Sequence, residues 1–227
     1  MNILKRDSLK EGGFAGLREH RLIKEPTLFG PQENHDGSWP GKINNLGNFV
    51  YLADARFQPH GETHMHSHHE MDVISVMVEG NISHEGSLEH GRDLTRNDAQ
   101  VQRAGGEGFS HNEINPDDVW NRLIQLWVLP EISGQAAEYK VYKPKPGKLT
   151  RIYGGDNDSA DFPASTKIDT GILTTGDKVE INKPFLAYIT RGYGLANNQT
   201  VKDGDLIKSD SLKFTAQTDV QLIIVYV

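Results

Sequence analysis

Between Pro59 and Gly80 the chain reads PHGETHMHSHHEMDVISVMVEG; His60, His64, His66 and His68 share one parity, and His69 lies off it. Successive side chains of a β-strand point to opposite faces, so residues two apart share a face. His64, His66 and His68 then stand close enough for at least two imidazoles to enter one coordination sphere. HNE at His111–Glu113 repeats that spacing with an imidazole and a carboxylate. Two such pairs on facing strands make a metal site of three nitrogens and one oxygen. Spacing leaves open whether the first pair is His64 with His66 or His66 with His68. Any one of these histidines alone reads more simply as an exposed loop residue; the combination of HxH with HxE in a turn-rich β chain points to a metal.

Imidazole and carboxylate together suit Fe, Ni, Cu, Zn or Mn, and two histidines plus a carboxylate with open positions is the usual non-haem Fe(II) pattern. The chain has no cysteine, which excludes disulfides, thiolate ligands and iron–sulfur clusters. All ten histidines lie between His20 and His111. If the chain forms two domains, only the first can hold a histidine-ligated ion.

The elements that must position these residues read as strands. FVYLADARF precedes the histidine stretch, MDVISVMVEG follows it and ends at a Glu79-Gly80 turn, and NISHEG is a further short strand. SLEHGRDL reads as hairpin and turn, Asn97-Asp98 opens a turn before AQVQRAGG, Asn115-Pro116 closes GFSHNEINP, and RLIQLWVLP is a strongly apolar strand ended by Pro130. Residues 1–48 are rich in Gly, Pro, Asn and charge; LREHRLIKE is a brief strand or helix and GPQENHDGSWPGKINNLGN a loop. Residues 131–163, with KPKPGK and GGDNDSADFP, read as a tether containing the short strands EYKVY and LTRIY. Short strands between Gly, Asp and Pro turns favour an all-β barrel or sandwich.

The last third echoes the first half. VISVMVEGNISH matches LAYITRGYGLAN in pattern, NDAQVQRAG matches DGDLIKSDS, and RLIQLWVLP matches DVQLIIVYV. The repeat implies two stacked β-barrels or sandwiches of similar topology, divided as residues 1–135 and 136–227.

A chain of 227 residues with 24% charged and 36% hydrophobic residues is long enough for a real core and is neither disordered nor membrane-spanning. No apolar run approaches the roughly 20 residues of a spanning helix, and MNILKRDSLKEGG lacks the apolar centre of a signal peptide. The expectation is a cytoplasmic protein. A formal charge of −7 without a long basic run argues against direct nucleic-acid binding and leaves a protein partner open.

HSHHEMDVISVMVEG at 66–80 resembles the first signature of the pirin family, an H-P-H followed by an acid, a hydrophobic strand and a Glu-Gly turn. AGGEGFSHNEINP at 104–116 is similar to the family's second signature, and IQLWVLP at 124–130 continues the likeness. The resemblance implies an all-β bicupin of the cupin superfamily, with a metal-bound N-terminal domain and a metal-free C-terminal one. Counting back from Glu79-Gly80, it carries two ligand histidines onto His66 and His68 and leaves His64 as a neighbour, and the match to the second signature carries the other two ligands onto His111 and Glu113. The family's likeness to quercetin 2,3-dioxygenases implies one divalent metal, Fe(II) first among the candidates, and a flavonol or other small aromatic or enolic substrate with O2. Glu113 would then act as general base as well as weak ligand. Ser67 stands where the family's proline is usual, Asn112 where serine is common, and the segment before residue 60 departs from the family pattern near the pocket entrance.

Four further residues are candidates for the pocket or its surroundings: His64, His84 at the rim, and Phe109 and Trp120 as aromatic lining. Trp127, inside IQLWVLP, reads as core before lining, and His60 and His69 as exposed or entrance residues. The alternative to a dioxygenase is a non-catalytic protein whose metal fixes a surface for a partner; another reaction on this scaffold, an isomerisation or hydrolysis, is the third. An open pocket would favour the enzyme, and one plugged beside an exposed apolar patch the interaction protein.

Overall fold

The computed structural model describes residues 1–29, 46–88, 91–156 and 159–227. The first strands are β1 (Asn2–Lys5), β2 (Gly12–Phe14), β3 (Leu17–Lys24), β4 (Phe49–Phe57), β5 (His66–His68), β6 (Asp72–Glu79), β7 (Ile82–Gly86), β8 (Arg92–Leu94), β9 (Ala99–Arg103), β10 (Phe109–Ile114), β11 (Arg122–Val128) and β12 (Glu138–Tyr142). They continue as β13 (Lys148–Gly155), β14 (Ala164–Leu173), β15 (Lys178–Ile181), β16 (Phe185–Arg191), β17 (Tyr193–Ala196), β18 (Gln199–Lys202), β19 (Asp205–Ser209), β20 (Leu212–Ala216) and β21 (Val220–Tyr226). A single helical turn at Pro26–Phe29 follows β3. LREHRLIKE is thus a strand, while most of the expected loop at 30–48 and the middle of SLEHGRDL lie outside the described residues. No helix among the described residues is long and apolar enough to cross a membrane.

Two compact units result, one containing Met1–Leu9 and Pro144–Val227, the other residues 10–29 and Asn48–Lys143. The histidine-bearing unit has a seven-stranded sheet, β12-β9-β6-β11-β4-β3-β2, and a four-stranded sheet, β5-β10-β7-β8. The other unit has β1-β19-β16-β21-β14-β13 and β15-β20-β17-β18. The orders correspond strand for strand: β9, β6, β11 and β4 match β19, β16, β21 and β14, and β5-β10-β7-β8 matches β15-β20-β17-β18. The echoes in the sequence fall on these matching strands, so the repeat is one of topology as well as pattern.

One slot in each large sheet is filled differently from what chain order suggests. Beside β9 it is taken by β12, paired from Glu138↔Arg103 to Tyr142↔Ala99. Beside β19 the matching slot is taken by β1, paired from Asn2↔Lys208 to Lys5↔Asp205. Without these partners β9 and β19 would be edges with unpaired backbone groups, and the N-terminal strand covers that edge for the distant half of the chain. EYKVY therefore belongs to the histidine-bearing unit rather than to a tether, and the division falls after Lys143 rather than after residue 135.

Strand alternation decides what each unit holds inside. In the unit without histidines, Val179, Phe185, Ala196, Leu212, Phe214 and Leu222 belong to one buried apolar cluster. In the other unit the strands carry polar residues among the apolar ones: Ser75, Gln100 and Gln102 are fully buried. Ser75 lies opposite Gln125 on β11 and Gln100 on β9, which makes a polar row across the sheet. At the end of β6, Gly80 adopts φ +70°, and a Cβ there would stand 2.9 Å from Asn121 Cβ, so the predicted Glu79-Gly80 turn needs its glycine.

The large sheet of this unit also buries a charge pair. Arg122 is fully buried, and its Nε donates to Asp54 Oδ1 at 2.8 Å while Nη2 donates to the second oxygen. Removing one partner strands the other charge, so Asp54→Asn is expected to cost about 3–5 kcal/mol. The readout is a lower urea midpoint with an unchanged slope; a loss under about 1 kcal/mol would mean the pair is not holding β4 to β11.

Candidate metal centre

The site is assembled by strand register. Antiparallel pairing of β5 with β10 sets His66 opposite His111 and His68 opposite Phe109. On its other edge β10 pairs with β7, which sets Glu113 opposite His84 and His111 opposite Gly86. Because β5 is only three residues long, its approach needs further ties. Thr63 N donates to Glu113 O at 3.1 Å, Glu113 N donates to Thr63 Oγ1 at 3.1 Å, and Asn112 Nδ2 donates to Glu62 Oε2 at 2.5 Å. Asn112 thus points away from the centre and anchors the histidine segment. Gly108, at φ +72°, lets the chain enter β10 close beside β5; a Cβ there would stand 2.9 Å from the His68 carbonyl.

The three imidazoles converge through their Nε2 atoms. His111 Nε2 lies 3.1 Å from His66 Nε2 and 3.2 Å from His68 Nε2. With metal–nitrogen bonds of about 2.1 Å, these separations correspond to N–metal–N angles of roughly 95–100°, which leaves room for further ligands on the open side. The residues fit a single ion: one ligand atom from each of His66, His68 and His111 lies within 4.8 Å of the others. His66 is set for the role, since its Nδ1 lies 2.8 Å from the His64 carbonyl, which can only accept. The proton is then on Nδ1 and the lone pair on Nε2.

Burial keeps His68 and His111 neutral. It lowers His68 to about 4, with the neighbouring His66 adding to the effect. It lowers His111 to about 2, with His68, His66 and His84 adding. Glu113 moves the opposite way: burial raises its pKa, against the hydrogen bonds from Ser75 and Gln100 and the nearby His84 and His66. Its Oε1 accepts from Ser75 Oγ and from Gln100 Nε2, both at 2.8 Å. Glu113 lines the same cavity as the three histidines but is not part of their close set.

That cavity has a volume of about 310 Å³, within the range of small-ligand pockets. Tyr51 and Trp127 form one wall, stacked with ring centroids 4.5 Å apart and planes at 22°, and Phe29 leans on both. Trp127 also meets His68 edge-on at 5.6 Å. Glu19, buried, accepts from Tyr51 Oη at 2.8 Å and from Arg21 Nε at 2.7 Å, and all three line the cavity. Burial and the Glu19 carboxylate push the Tyr51 phenol up, so it stays a hydrogen-bond donor.

The other sequence candidates fall in different places. His64 is exposed, and its contribution is the carbonyl that orients His66. His84 is fully buried behind His111 rather than at a rim, and its Nε2 lies 2.8 Å from Gln102 Oε1. Phe109 is buried edge-on against His111 at 5.1 Å, outside the cavity lining. Trp120 is 47% exposed and also outside the lining, whereas Trp127, read first as core, lines the cavity. His60 pairs with Asp118 and His69 contacts the Gly106 carbonyl, both at exposed positions.

Residues that the spacing argument passed over include Ser75, Gln100, Gln102 and Gln125, which hold or adjoin the ligands, and Glu19, Arg21, Tyr51 and Phe29 around the cavity. One signal was available: Gln-x-Gln in AQVQR, Ser in VISVMV and Gln in RLIQLWV are polar residues inside strands otherwise apolar enough to be buried.

A family model described as Pirin matches residues 34–128. A pirin-like protein of Caulobacter vibrioides is 27% identical over 225 residues, covering 92% of this chain and 94% of that one. The quercetin 2,3-dioxygenase of Escherichia coli is 29% identical over 76 residues, covering 33% of this chain and 32% of that one. Among solved structures, the Escherichia coli bacterial pirin YhhW in complex with nickel(II) superposes with a TM-score of 0.78 at 14% identity, covering 99% of this chain and 97% of that one.

With His68 and His111 already neutral at pH 7, metal uptake should displace no proton from either. Titration of divalent metal into the metal-stripped protein in buffers of different ionisation enthalpy should show release of less than about one proton per ion at pH 7. Release of two or more would mean that the imidazoles are charged and apart before the ion arrives.

Proposed function

Because this chain is pirin-like, with an all-β fold of the bicupin type, we propose that it is a metal-dependent dioxygenase that opens quercetin or a related flavonol with O2. The observation that carries this reading is the convergence of three imidazole Nε2 atoms inside a cavity with an aromatic wall. His66, His68 and His111 would hold one divalent transition metal, with Glu113 as the oxygen donor. Fe(II) is the ion we favour for this donor set, and Ni, Cu, Zn and Mn suit it as well. When bound, the ion supplies Lewis acidity and open coordination positions.

The chain's own residues do the rest. Tyr51 and Trp127 stack against a flat ring system and orient it in the cavity. Glu113 takes the proton of the substrate's enolic hydroxyl, and its burial makes it a stronger base than an exposed carboxylate. Ser75 and Gln100 hold one Glu113 oxygen, so the other is the one free to accept that proton. Around the same cavity, Glu19, fixed by Arg21 and Tyr51, offers an acceptor to a phenolic hydroxyl remote from the reacting enol. The apolar residues Leu17, Phe57 and Leu123 in the lining limit water around the substrate. An open cavity favours this reading over a metal-stiffened surface for a protein partner. The cytoplasm is the compartment we propose, compatible with the absence of cysteine.

The test is O2 uptake with quercetin by the metal-loaded and metal-stripped protein. Uptake is expected only when loaded, and Glu113→Gln should lower kcat by about 100- to 10,000-fold while three histidines still retain metal. A fully loaded protein that turns over no flavonol would sink the substrate assignment.

A further inference from the structure

Strand β3 supplies one wall of the cavity, and its side chains enter by an irregular route. Leu17, Glu19 and Arg21 line the cavity in strict alternation, and Lys24 joins them where Ile23 would be next. The register against β4 gives the reason. Leu17 stands opposite Phe57, Glu19 opposite Ala55 and Arg21 opposite Ala53, but Ile23 then stands opposite Leu52 and Lys24 opposite Tyr51. Leu22 is thus an extra residue, a bulge that reverses the faces of the residues after it. Without it Ile23 would face the cavity beside Tyr51. With it Ile23 is 1% exposed and outside the lining, and an ammonium takes its place.

The result is a polar end in a cavity otherwise walled largely by apolar and aromatic groups. Glu19 is buried, with Oε1 accepting from Arg21 and Oε2 from Tyr51 Oη at 2.8 Å. A carboxylate oxygen accepts a second bond without losing the first, whereas a guanidinium and an ammonium only donate. An anionic end group would meet the Glu19 carboxylate with no proton to offer it, and a cationic one would meet Arg21 and Lys24. Two adjacent hydroxyls suit both: one O–H donates to Glu19, and the neighbouring oxygen accepts from Lys24 or Arg21. Between β3 and β6, whose Ser75 holds Glu113, lie β4 and β11, so the two ends stand roughly 14 Å apart at the usual strand spacing. A planar substrate of two linked ring systems covers that gap along the Tyr51–Trp127 wall.

We infer that Glu19, Arg21 and Lys24 form a subsite that selects substrates with a catechol, two adjacent hydroxyls, on the ring remote from the metal. The β3 bulge creates it by aiming Lys24 inward. This rests on the flavonol reading above and narrows it, to flavonols of the quercetin kind over those with a bare remote ring. A site built to hydrogen-bond a substrate hydroxyl rejects the analogue that lacks it most strongly when its own polar groups are then left unpaired. Here Glu19 keeps Arg21 and Tyr51 in either case, so the discrimination is moderate.

The test is anaerobic calorimetric titration of the Zn(II)-loaded protein with quercetin and with galangin, a flavonol whose remote ring carries no hydroxyl. Quercetin is expected to bind about 10- to 100-fold tighter, the worth of a hydrogen bond to a charged group. Lys24→Met should bring quercetin down toward galangin, and Lys24→Arg, which keeps a cationic donor, should preserve the preference. Equal affinity of the two flavonols for the wild type, or an unchanged preference in Lys24→Met, would overturn the subsite and leave the flavonol reaction to be judged by O2 uptake. A preference for quercetin without turnover of any flavonol would sink the reaction and leave the subsite standing. Binding of neither flavonol would overturn both.

Discussion

The pairing of β5 with β10 is the constraint on which the rest of the site depends. A three-residue strand has almost no hydrophobic surface of its own, so its position is owed to backbone hydrogen bonds. Those bonds fix register, and register in a sheet is all or none, since a one-residue slip turns every side chain to the other face. Here the register sets His66 directly across from His111 and leaves His68 one step along on the same face. The ties from Thr63 and Asn112 extend the same pairing toward the turn that precedes β5. Three imidazoles are brought close with no counter-charge among them, and burial keeps His68 and His111 from protonation. That makes the cluster a poor place for protons and a good one for a divalent ion.

The polar interior of this unit follows from the same geometry. Buried Ser, Gln and Glu side chains are costly unless paired, and Ser75, Gln100 and Gln102 are paired in a way that also holds Glu113 or His111. Tyr139 donates to Gln100, and Gln100 and Ser75 donate to Glu113. The sister unit has the same strand order, and its buried polar pair, Thr190 Oγ1 with Gln221 Oε1 at 3.0 Å, aims no candidate ligand. At the places that match β5 and β10 its strands carry KVEI and LKFTA, and Val179, Leu212 and Phe214 join the apolar core instead. One topology thus gives a polar cavity or an apolar core according to which residues alternate inward.

Much of this was legible in the sequence. The strands around the histidines, the Glu79-Gly80 turn and the echo between halves all follow from period-two patterning and turn chemistry, which are local. Three of the expected ligands, His66, His68 and His111, do come together, and the choice of His66 with His68 over His64 with His66 came from the family resemblance, not from spacing. What was not legible is long-range. Nothing local marks Asn2–Lys5 as the partner of Asp205–Ser209, because an edge slot is filled by whichever strand reaches it. Trp120 and Trp127 are alike in type, and only the register of β11 against β4 sends Trp127 to stack on Tyr51 while Trp120 remains half exposed. His84 looked like a rim residue because its strand adjoins the site, yet it lies opposite Glu113 and behind His111, where it meets Gln102.

The central claim is that His66, His68 and His111 hold one divalent ion through Nε2. X-ray absorption at the metal edge of protein purified without added metal tests it most directly. The expected result is a single ion with about three imidazole nitrogens at roughly 2.0–2.1 Å, reduced by one in His111→Ala. An ion ringed by oxygen alone, or a nitrogen shell unchanged in His111→Ala, would contradict it.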